Sequence, residues 1–263
     1  MERMRAMGNS EIFLSSVMLV SNEIQILPQS LAALFSYSDQ VVFVDQGSTD
    51  GSLQYLQSRL RPQDRIINVD WGAVYRYGYA YLRNLGSRLC DGVWIEAIDA
   101  DEVLAPEFRN AVKGILQNTN ANVLRINMHQ FKNDGSTASV DWYEIAKNSH
   151  YHEIIGHRRI YRQDSGIFWD GYIHEELWMN EKNAAYFADE SGLLYWHFTE
   201  FRSSREWDLK HQRYAWMLVN AFSNVRLQKG TNSGWYERYV PENLPHLQEQ
   251  ANQFSQYLKA RGY

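Results

Sequence analysis

The sequence predicts an α/β protein in which a central, mostly parallel sheet is flanked by helices and followed by a helical C-terminal extension. Two observations support this fold class. Up to residue 117, apolar segments of strand length alternate with segments of helical spacing, which is typical of a parallel sheet covered by helices. The apolar segments are continuous rather than alternating, which indicates strands that are buried on both faces.

The first half of the chain repeats a strand-helix pattern. Pro28 suits the first turn of a helix, and Leu31 and Leu34 then share one face with Leu27, so we expect these leucines in the core. The predicted strands cover residues 13–20, 41–45, 66–69 and 93–98. Four helices are predicted. The spacing of Leu27, Leu31 and Leu34 indicates the first, and that of Leu53, Leu56 and Leu60 the second. The other two cover residues 75–90 and 106–116.

The second half follows a different rhythm. Strands are predicted at residues 122–129, 157–162, 166–169 and 192–198, with turns at 132–135 and 163–166. The chain is mostly helical from Ser203, with a linker at 228–234. We therefore divide it into a tail (1–10), an α/β domain (11–200) and a helical extension (201–263), whose helices could also join two copies into a homo-oligomer.

Composition limits the classes of function. The net charge is −5 and the pI is near 5.9, which gives no sign of a nucleic-acid binder. The one cysteine, Cys90, fits a reducing compartment. The N-terminus lacks a signal-peptide core, and the apolar run 12–20 is far shorter than the roughly 20 residues that span a bilayer. We expect a cytoplasmic protein without a transmembrane segment, and peripheral contact with a membrane stays open.

Polar residues follow three of the predicted strands. Residues 21–23 (Ser-Asn-Glu) end the first strand, Asp45 ends the second, and the motif Asp99-Ala100-Asp101 ends the fourth. Ligands of open α/β sheets bind beyond these strand ends. The chain has no glycine-rich phosphate-binding motif, but two carboxylates separated by one residue can direct a divalent cation onto phosphate. The alternative for an isolated acidic pair is a solvated loop.

Four segments together carry a family resemblance. The segments MLVSNE (18–23), VVFVDQGSTDGS (41–52), LRNLGS (82–87) and VWIEAIDADEVL (93–104) resemble family-two glycosyltransferases with the GT-A fold, in the branch that builds lipopolysaccharide cores and cell-surface glycans. The resemblance implies a nucleotide-sugar donor, a saccharide or lipid-linked saccharide acceptor, Mn²⁺ or Mg²⁺ as cofactor, and inversion at the anomeric carbon.

The resemblance also implies roles for particular residues. It implies nucleotide-sugar binding by Val20, Asn22, Glu23, Asp45, Ser48, Arg83 and Asp99, and metal binding by Asp101, with Asp99 and His197 as further metal candidates. Arg83 would lie near the diphosphate or the acidic motif. Gln46 and Leu82 depart from the family pattern. The absence of a Q-x-x-R-W motif and of later membrane segments favours addition of a single sugar over processive synthesis.

The acceptor side is predicted in the segment GYIHEELW (171–178). Inverting transfer needs a base for the acceptor proton, and the His174-Glu175 pair resembles a His-Glu segment of related family branches. Glu175 is our candidate for the catalytic base, with Glu176 and Asp170 as alternatives. An ordinary helix start would also explain the acids. His174 and His197 are read as packed histidines or as metal ligands.

The sequence therefore predicts a metal-dependent, inverting glycosyltransferase in which Asp101 and Glu175 carry the catalysis. Two other functions stay open at this point. A nucleotidyltransferase would also combine a metal, phosphate and an α/β sheet, but it should carry a glycine-rich basic loop near its N-terminus. A nucleotide-sugar-binding or glycan-binding protein would have the same pockets without turnover.

Overall fold

The computed structural model describes residues 12–133, 141–184, 187–201, 204–223 and 233–260. An eight-stranded sheet with the order β3-β2-β1-β4-β7-β6-β11-β5 forms its centre, and a small sheet, β10-β9-β8, lies beside it. The pairs β3/β2, β2/β1, β1/β4 and β6/β11 are parallel, and the other three pairs are antiparallel. The prediction of a mixed, mostly parallel sheet with flanking helices is confirmed.

The strands alternate with helices through the first half of the chain. The strands are β1 (Leu14–Val20), β2 (Gln40–Asp45), β3 (Arg65–Asn68), β4 (Trp94–Asp99), β5 (Glu102–Leu104), β6 (Val123–Phe131), β7 (Tyr151–Arg162), β8 (Phe168–Asp170), β9 (Glu176–Met179), β10 (Lys182–Asn183) and β11 (Asp189–His197). The helices are α1 (Leu27–Phe35), α2 (Ser52–Arg59), α3 (Ala73–Ser87), α4 (Pro106–Arg109), α5 (Val112–Gln117), α6 (Trp142–Asn148), α7 (Ser204–Ser223) and α8 (Ser233–Lys259).

The first half follows the sequence pattern closely, and the second half does so less well. The predicted helix 106–116 is two short helices, α4 and α5, and the predicted helix 75–90 breaks at Gly78. Helix α6 and strands β5, β9 and β10 have no counterpart in the prediction. The helix start proposed as the alternative explanation of the 170–178 acids is wrong, since Glu176 begins a strand. The tail 1–10, residues 134–135 of the predicted turn and residues 228–232 of the linker lie outside the described residues.

Each face of the large sheet packs against its own set of helices. Side chains of β1 alternate between the two cores: Met18 faces the core that contains α1, and Val17 faces the core that contains α3. Leu31 and Leu34 are buried as predicted. Side chains of α7 and α8, including Met217 and Leu247, also belong to the α3-side core, so the extension packs on the domain. In the described ranges, no helix combines the length and apolarity needed to cross a bilayer.

One acidic residue lies inside the α1-side core. Glu96 of β4 is completely buried, and the hydroxyls of Ser16 and Tyr37 donate to it at 2.5 and 3.0 Å. The hydroxyl of Tyr195 on β11 donates to the same carboxylate. Burial raises the pKa of Glu96, and the three hydroxyl groups offset part of this effect. The network therefore joins β1, β4 and β11 through a group whose protonation depends on folding.

We predict that Glu96→Gln flattens the pH dependence of stability. Because folding raises the pKa of Glu96, the folded chain holds the proton more tightly, and the free energy of unfolding falls as the pH rises through the folded-state pKa. Glutamine cannot lose that proton. Urea unfolding between about pH 4 and about pH 8 should therefore show the wild-type chain losing stability relative to the variant as the pH rises.

The matched control is Glu190→Gln, which removes a carboxylate that is 63% exposed. This variant tests whether the loss of any one negative charge is enough to change the dependence of the unfolding free energy on pH. Parallel curves for wild type and Glu96→Gln would contradict the prediction.

Candidate active site

The carboxyl ends of β1, β2 and β4 meet at one edge of the large sheet, where a cavity of about 310 Å³ opens. Five of the residues predicted from sequence line it: Glu23, Arg83, Asp99, Asp101 and Glu175. A second cavity of about 90 Å³ adjoins the first and shares Ser21, Glu23, Lys210 and Arg213 with it. Asn22 lines this second cavity, whereas Val20, Asp45, Ser48 and His197 line neither.

The loops that follow β1 and β2 are tied to each other. The backbone N–H of Asn22 donates to Ser48 Oγ at 3.0 Å, and Asn22 Oδ1 accepts from the N–H of Thr49 at 2.7 Å. The N–H of Glu23 donates to Ser52 Oγ at 2.8 Å. Asn22 has a φ of 59°, a conformation that asparagine tolerates better than most residues. These bonds fix the loop that brings Glu23 to both cavities.

Asp45 is the last residue of β2, and its side chain is buried inside the protein. It is fully buried and pairs with Val20 across the β1/β2 ladder. Its Oδ2 accepts from the N–H groups of Gly47 and Ser48, each at 3.1 Å, while its Oδ1 is buried and has no hydrogen-bond partner among the residues that the structure describes. Buried carboxylate oxygens are normally hydrogen-bonded, so Asp45 keeps an unused acceptor atom next to the strand ends.

Arg83 of α3 links two acids from distant parts of the chain. Its Nη2 donates to Asp99 Oδ1 at 2.8 Å, and its Nε donates to Glu175 Oε1 at 2.5 Å. The Arg83 side chain is only 3% exposed, and its guanidinium carbon lies 5.3 Å from the ring centroid of Trp169. Burial lowers the pKa of Arg83, but Asp99 and Glu175 outweigh it and raise the pKa overall. Arg83 thus lies at the acidic motif, one of its two predicted locations.

A second arginine completes the surroundings of Asp99. Arg159 Nη2, from β7, lies 3.7 Å from Asp99 Oδ2 and donates to Glu102 Oε1 at 3.2 Å. Glu102 also accepts from the backbone N–H of Asp99 at 3.0 Å. Burial acts to raise the pKa of Asp99, but Arg83 and Arg159 outweigh it and lower the pKa. Asp99 is therefore held ionised between two guanidinium groups.

Asp101 contacts a different set of groups. Its Oδ2 accepts from Lys210 Nζ at 3.1 Å, and its Oδ1 lies 3.6 Å from His197 Nε2. The carboxylate oxygen and the imidazole nitrogen are two potential donors for a divalent cation, with water and phosphate oxygens available as the other ligands. His197 Nδ1 is buried without a hydrogen-bond partner, so no described residue fixes the ring tautomer.

The described residues do not supply a larger metal cluster. Among them, no group of three or more His, Cys, Asp and Glu side chains has a metal-binding arrangement. Asp99, the other sequence-predicted ligand, is held by the two arginines. Within the described residues, the candidate donors beside this turn are Asp101 and His197, so a bound cation would take most of its ligands from the substrate and water.

A break in α3 fixes the loop that carries Glu175. Gly78 has a φ of 80°, and a Cβ there would lie 2.6 Å from the backbone of Tyr172. The next N–H, of Tyr79, donates to the carbonyl of Tyr172 at 2.9 Å, and Asn84 Nδ2 donates to the carbonyl of Trp169 at 2.7 Å. Only glycine allows this approach without strain. The loop between β8 and β9 is thereby fixed to the helix that carries Arg83.

The three candidate bases have different environments. Glu175 is 9% exposed and lines the cavity, and its Oε1 is occupied by Arg83. Glu176 also lines the cavity, but it accepts from Arg158 Nη2 at 3.1 Å and from Asn183 Nδ2. Asp170 is exposed and is not part of the lining. His174 contacts the hydroxyl of Tyr214 on α7 through its Nε2, and burial lowers its pKa.

Several cavity residues were missed by the sequence analysis. His157, Arg158 and Arg159 come from β7, and Lys210, Arg213 and Tyr214 come from α7. The run of three charged or polar residues inside a predicted strand was an available signal for β7. Burial and the neighbouring arginines lower the pKa of His157 to about 3, so this imidazole is neutral. The α7 residues carry no sequence signal, because they lie in an ordinary amphipathic helix.

The sequence model of Glycosyl transferase family 2 matches residues 15–182, which is more than half of the chain. The chain belongs to this family and has the GT-A fold. Enzymes of the family generally use divalent metals.

Solved structures of S. aureus TarS show low similarity to the chain. The complex of TarS residues 1–349 with UDP-GlcNAc is 17% identical with a TM-score of 0.45, and the match covers 79% of this chain and 67% of that chain. The complex with UDP is 16% identical with a TM-score of 0.46, covering 79% and 66%. The chain thus spans about two thirds of this TarS fragment, and 40% of the longer TarS chain in a further structure.

We predict that Arg83→Met destabilises the fold by about 3–5 kcal/mol, because it leaves the Asp99 and Glu175 carboxylates without their shared cation. Urea unfolding measures the loss. Arg83→Lys keeps the charge but cannot reproduce the two-sided fork, so we expect an intermediate value.

The matched control is Arg65→Met, which breaks the exposed Arg65–Asp91 pair and should cost less than about 1 kcal/mol. Equal losses in Arg83→Met and Arg65→Met would contradict the prediction.

Proposed function

We propose that the protein transfers one sugar from a nucleotide-sugar donor to a hydroxyl of a saccharide or lipid-linked saccharide, with inversion at the anomeric carbon. One observation carries the proposal: Asp99 and Asp101 at the end of β4 and Glu175 before β9 line the same cavity, with Arg83 between Asp99 and Glu175. A donor-side acidic pair and an acceptor-side carboxylate around one space are what in-line sugar transfer requires.

The donor would lie along the ends of β1, β2 and β4. Asp45 Oδ1 could accept a hydrogen bond from the nucleoside, but Asp45 lies behind both cavity linings, so this role requires the loop after β2 to move. Asn22 and Ser48 hold the adjoining loop, Glu23 reaches both cavities, and Val20 packs behind the strand end. Asp99 would accept from a sugar or ribose hydroxyl through an oxygen on its exposed side, since its side chain is 34% exposed.

Asp101 and His197 would hold Mn²⁺ or Mg²⁺, and such an ion would offset the negative charge that develops on the diphosphate as the sugar leaves. The chain itself keeps Asp101 in place, because β4 positions its backbone and the N–H of Phe198 donates to its carbonyl at 2.9 Å. The proposal names either Mn²⁺ or Mg²⁺ as the cation and does not choose between them.

Glu175 would act as the catalytic base. In the transfer, the acceptor oxygen forms a bond to the anomeric carbon, the bond from that carbon to the diphosphate breaks, and the hydroxyl proton goes to the carboxylate. Glu175 Oε1 is held by Arg83, so Oε2 would receive the proton. Glu176 is a weaker candidate because Arg158 and Asn183 already engage both of its oxygens.

The proposal is tested by incubating the protein with a panel of nucleotide sugars and measuring hydrolysis or transfer, with Mn²⁺, with Mg²⁺ and with chelator. Asp101→Asn should bind Mn²⁺ more weakly in a direct titration and lose metal-dependent turnover. Full wild-type activity in excess chelator would reject the metal, and binding of a nucleotide sugar without any turnover would favour a binding protein.

We predict that Glu175→Gln lowers turnover by about 10²–10⁴-fold, the usual contribution of a general base, while the affinity for donor stays within a few-fold of wild type. Glutamine has the size of glutamate and still accepts from Arg83, but it cannot take a proton at neutral pH. Turnover is measured at saturating donor, and donor affinity by calorimetry.

Glu176→Gln and Asp170→Asn are the matched controls. If either of these folded variants loses more turnover than Glu175→Gln, the base is misassigned. Near-wild-type turnover in Glu175→Gln would reject its role directly.

A further inference from the structure

The cavity is completed by residues that lie outside the family match. The match ends at residue 182, whereas Lys210, Arg213 and Tyr214 of α7 line the 310 Å³ cavity. Lys210 and Arg213 also line the smaller cavity, together with Trp71, Tyr75, Phe254 and Tyr257. The C-terminal extension thus forms one wall of the site.

The extension is held in this position by aromatic contacts. The ring of Tyr75 on α3 packs against Trp216 of α7 and Phe254 of α8, with centroids 5.5 Å away in each case. Trp71 contacts Tyr257 of α8 at 6.0 Å. Because these rings fix both helices to the β3–α3 region, α7 presents Lys210 to the cavity from a stable support.

The ion-paired basic side chains of the cavity differ in their freedom to bind a ligand. Arg83 is 3% exposed and bridges two acids, and Arg159 is 12% exposed and contacts both Asp99 and Glu102. Arg158 contacts one acid, Glu176, but it is only 21% exposed. Among the described residues, Lys210 also contacts one acid, Asp101, in addition to the neutral hydroxyl of Thr199, and it is 34% exposed. Its long unbranched side chain can change partner with little rearrangement of the fold.

We propose that Lys210 is a substrate-binding residue that exchanges its contact with Asp101 for a phosphate oxygen of the donor's diphosphate. This inference rests on the proposed nucleotide-sugar function. Lys210 lines both cavities, so it stands where one joins the other, and a diphosphate that connects a nucleoside to a sugar needs a cation at such a junction.

The competing explanation is a structural one, in which Lys210 only anchors α7 to the β4–β5 turn. The two explanations differ in what the second phosphate of a nucleotide contributes. A phosphate-binding lysine strengthens binding of a nucleoside diphosphate more than that of a monophosphate. A structural anchor affects both nucleotides and the stability of the fold together.

The experiment measures the affinities of UDP, GDP, ADP and dTDP, and of the matching monophosphates, for the wild-type chain, Lys210→Met and Lys210→Arg. Titration calorimetry is run with Mg²⁺ and again with chelator. Lys113→Met is the matched control, since Lys113 also pairs with an aspartate, Asp39, but lies away from the cavity. Thermal unfolding of each variant is recorded in parallel.

We expect Lys210→Met to lower the affinity for the best-bound nucleoside diphosphate by about 10- to 100-fold, the usual cost of losing a charged hydrogen bond. The affinity for the matching monophosphate should fall less. Lys210→Arg should retain most of the affinity, and Lys113→Met should bind both nucleotides as the wild type does. Wild-type affinity in Lys210→Met, or equal losses for mono- and diphosphate, would overturn the inference and leave the proposed function intact. Failure of wild type to bind any nucleotide would overturn both.

Discussion

The site depends on one buried cation that two acids share. Arg83 contacts Asp99 at the end of β4 and Glu175 before β9, and without it the buried Glu175 carboxylate would lose the cation that compensates its charge. The pairing joins the first half of the chain, which supplies the strand ends, to the second half, which supplies the far wall of the cavity. The family match spans both sides of this contact, from residue 15 to residue 182.

The acids of the β4–β5 turn are balanced by cations from three separate elements. Arg83 comes from α3, Arg159 from β7 and Lys210 from α7, and each approaches a different carboxylate oxygen. Carboxylates placed this close would otherwise repel each other and destabilise the turn. Residues far apart in sequence therefore compensate the negative charge of the cavity. The loss of any one cation should mainly affect the carboxylate that it contacts.

The sequence predicted the strands and helices up to α3 well, because buried parallel strands and leucine spacing leave strong local signals. It also predicted the acids that line the cavity. It missed β5, since a three-residue strand that contains Glu102 reads as part of an acidic loop, and it missed Lys210, one contact of Asp101, because that lysine lies in a helix without a motif. Such residues are brought to the site by tertiary packing, and no local pattern records that.

Gly78 has a mechanical consequence. The peptide after it bonds to the Tyr172 carbonyl, so the second segment of α3 and the loop before β9 form one stiff body that includes Arg83 and Glu175. Because Arg83 also donates to Asp99, this body is tied to the end of β4 as well. A side chain at position 78 would collide with the Tyr172 backbone and displace Arg83 and Glu175 together. One backbone position without a side chain thus controls the placement of two charged groups that lie 92 residues apart in sequence.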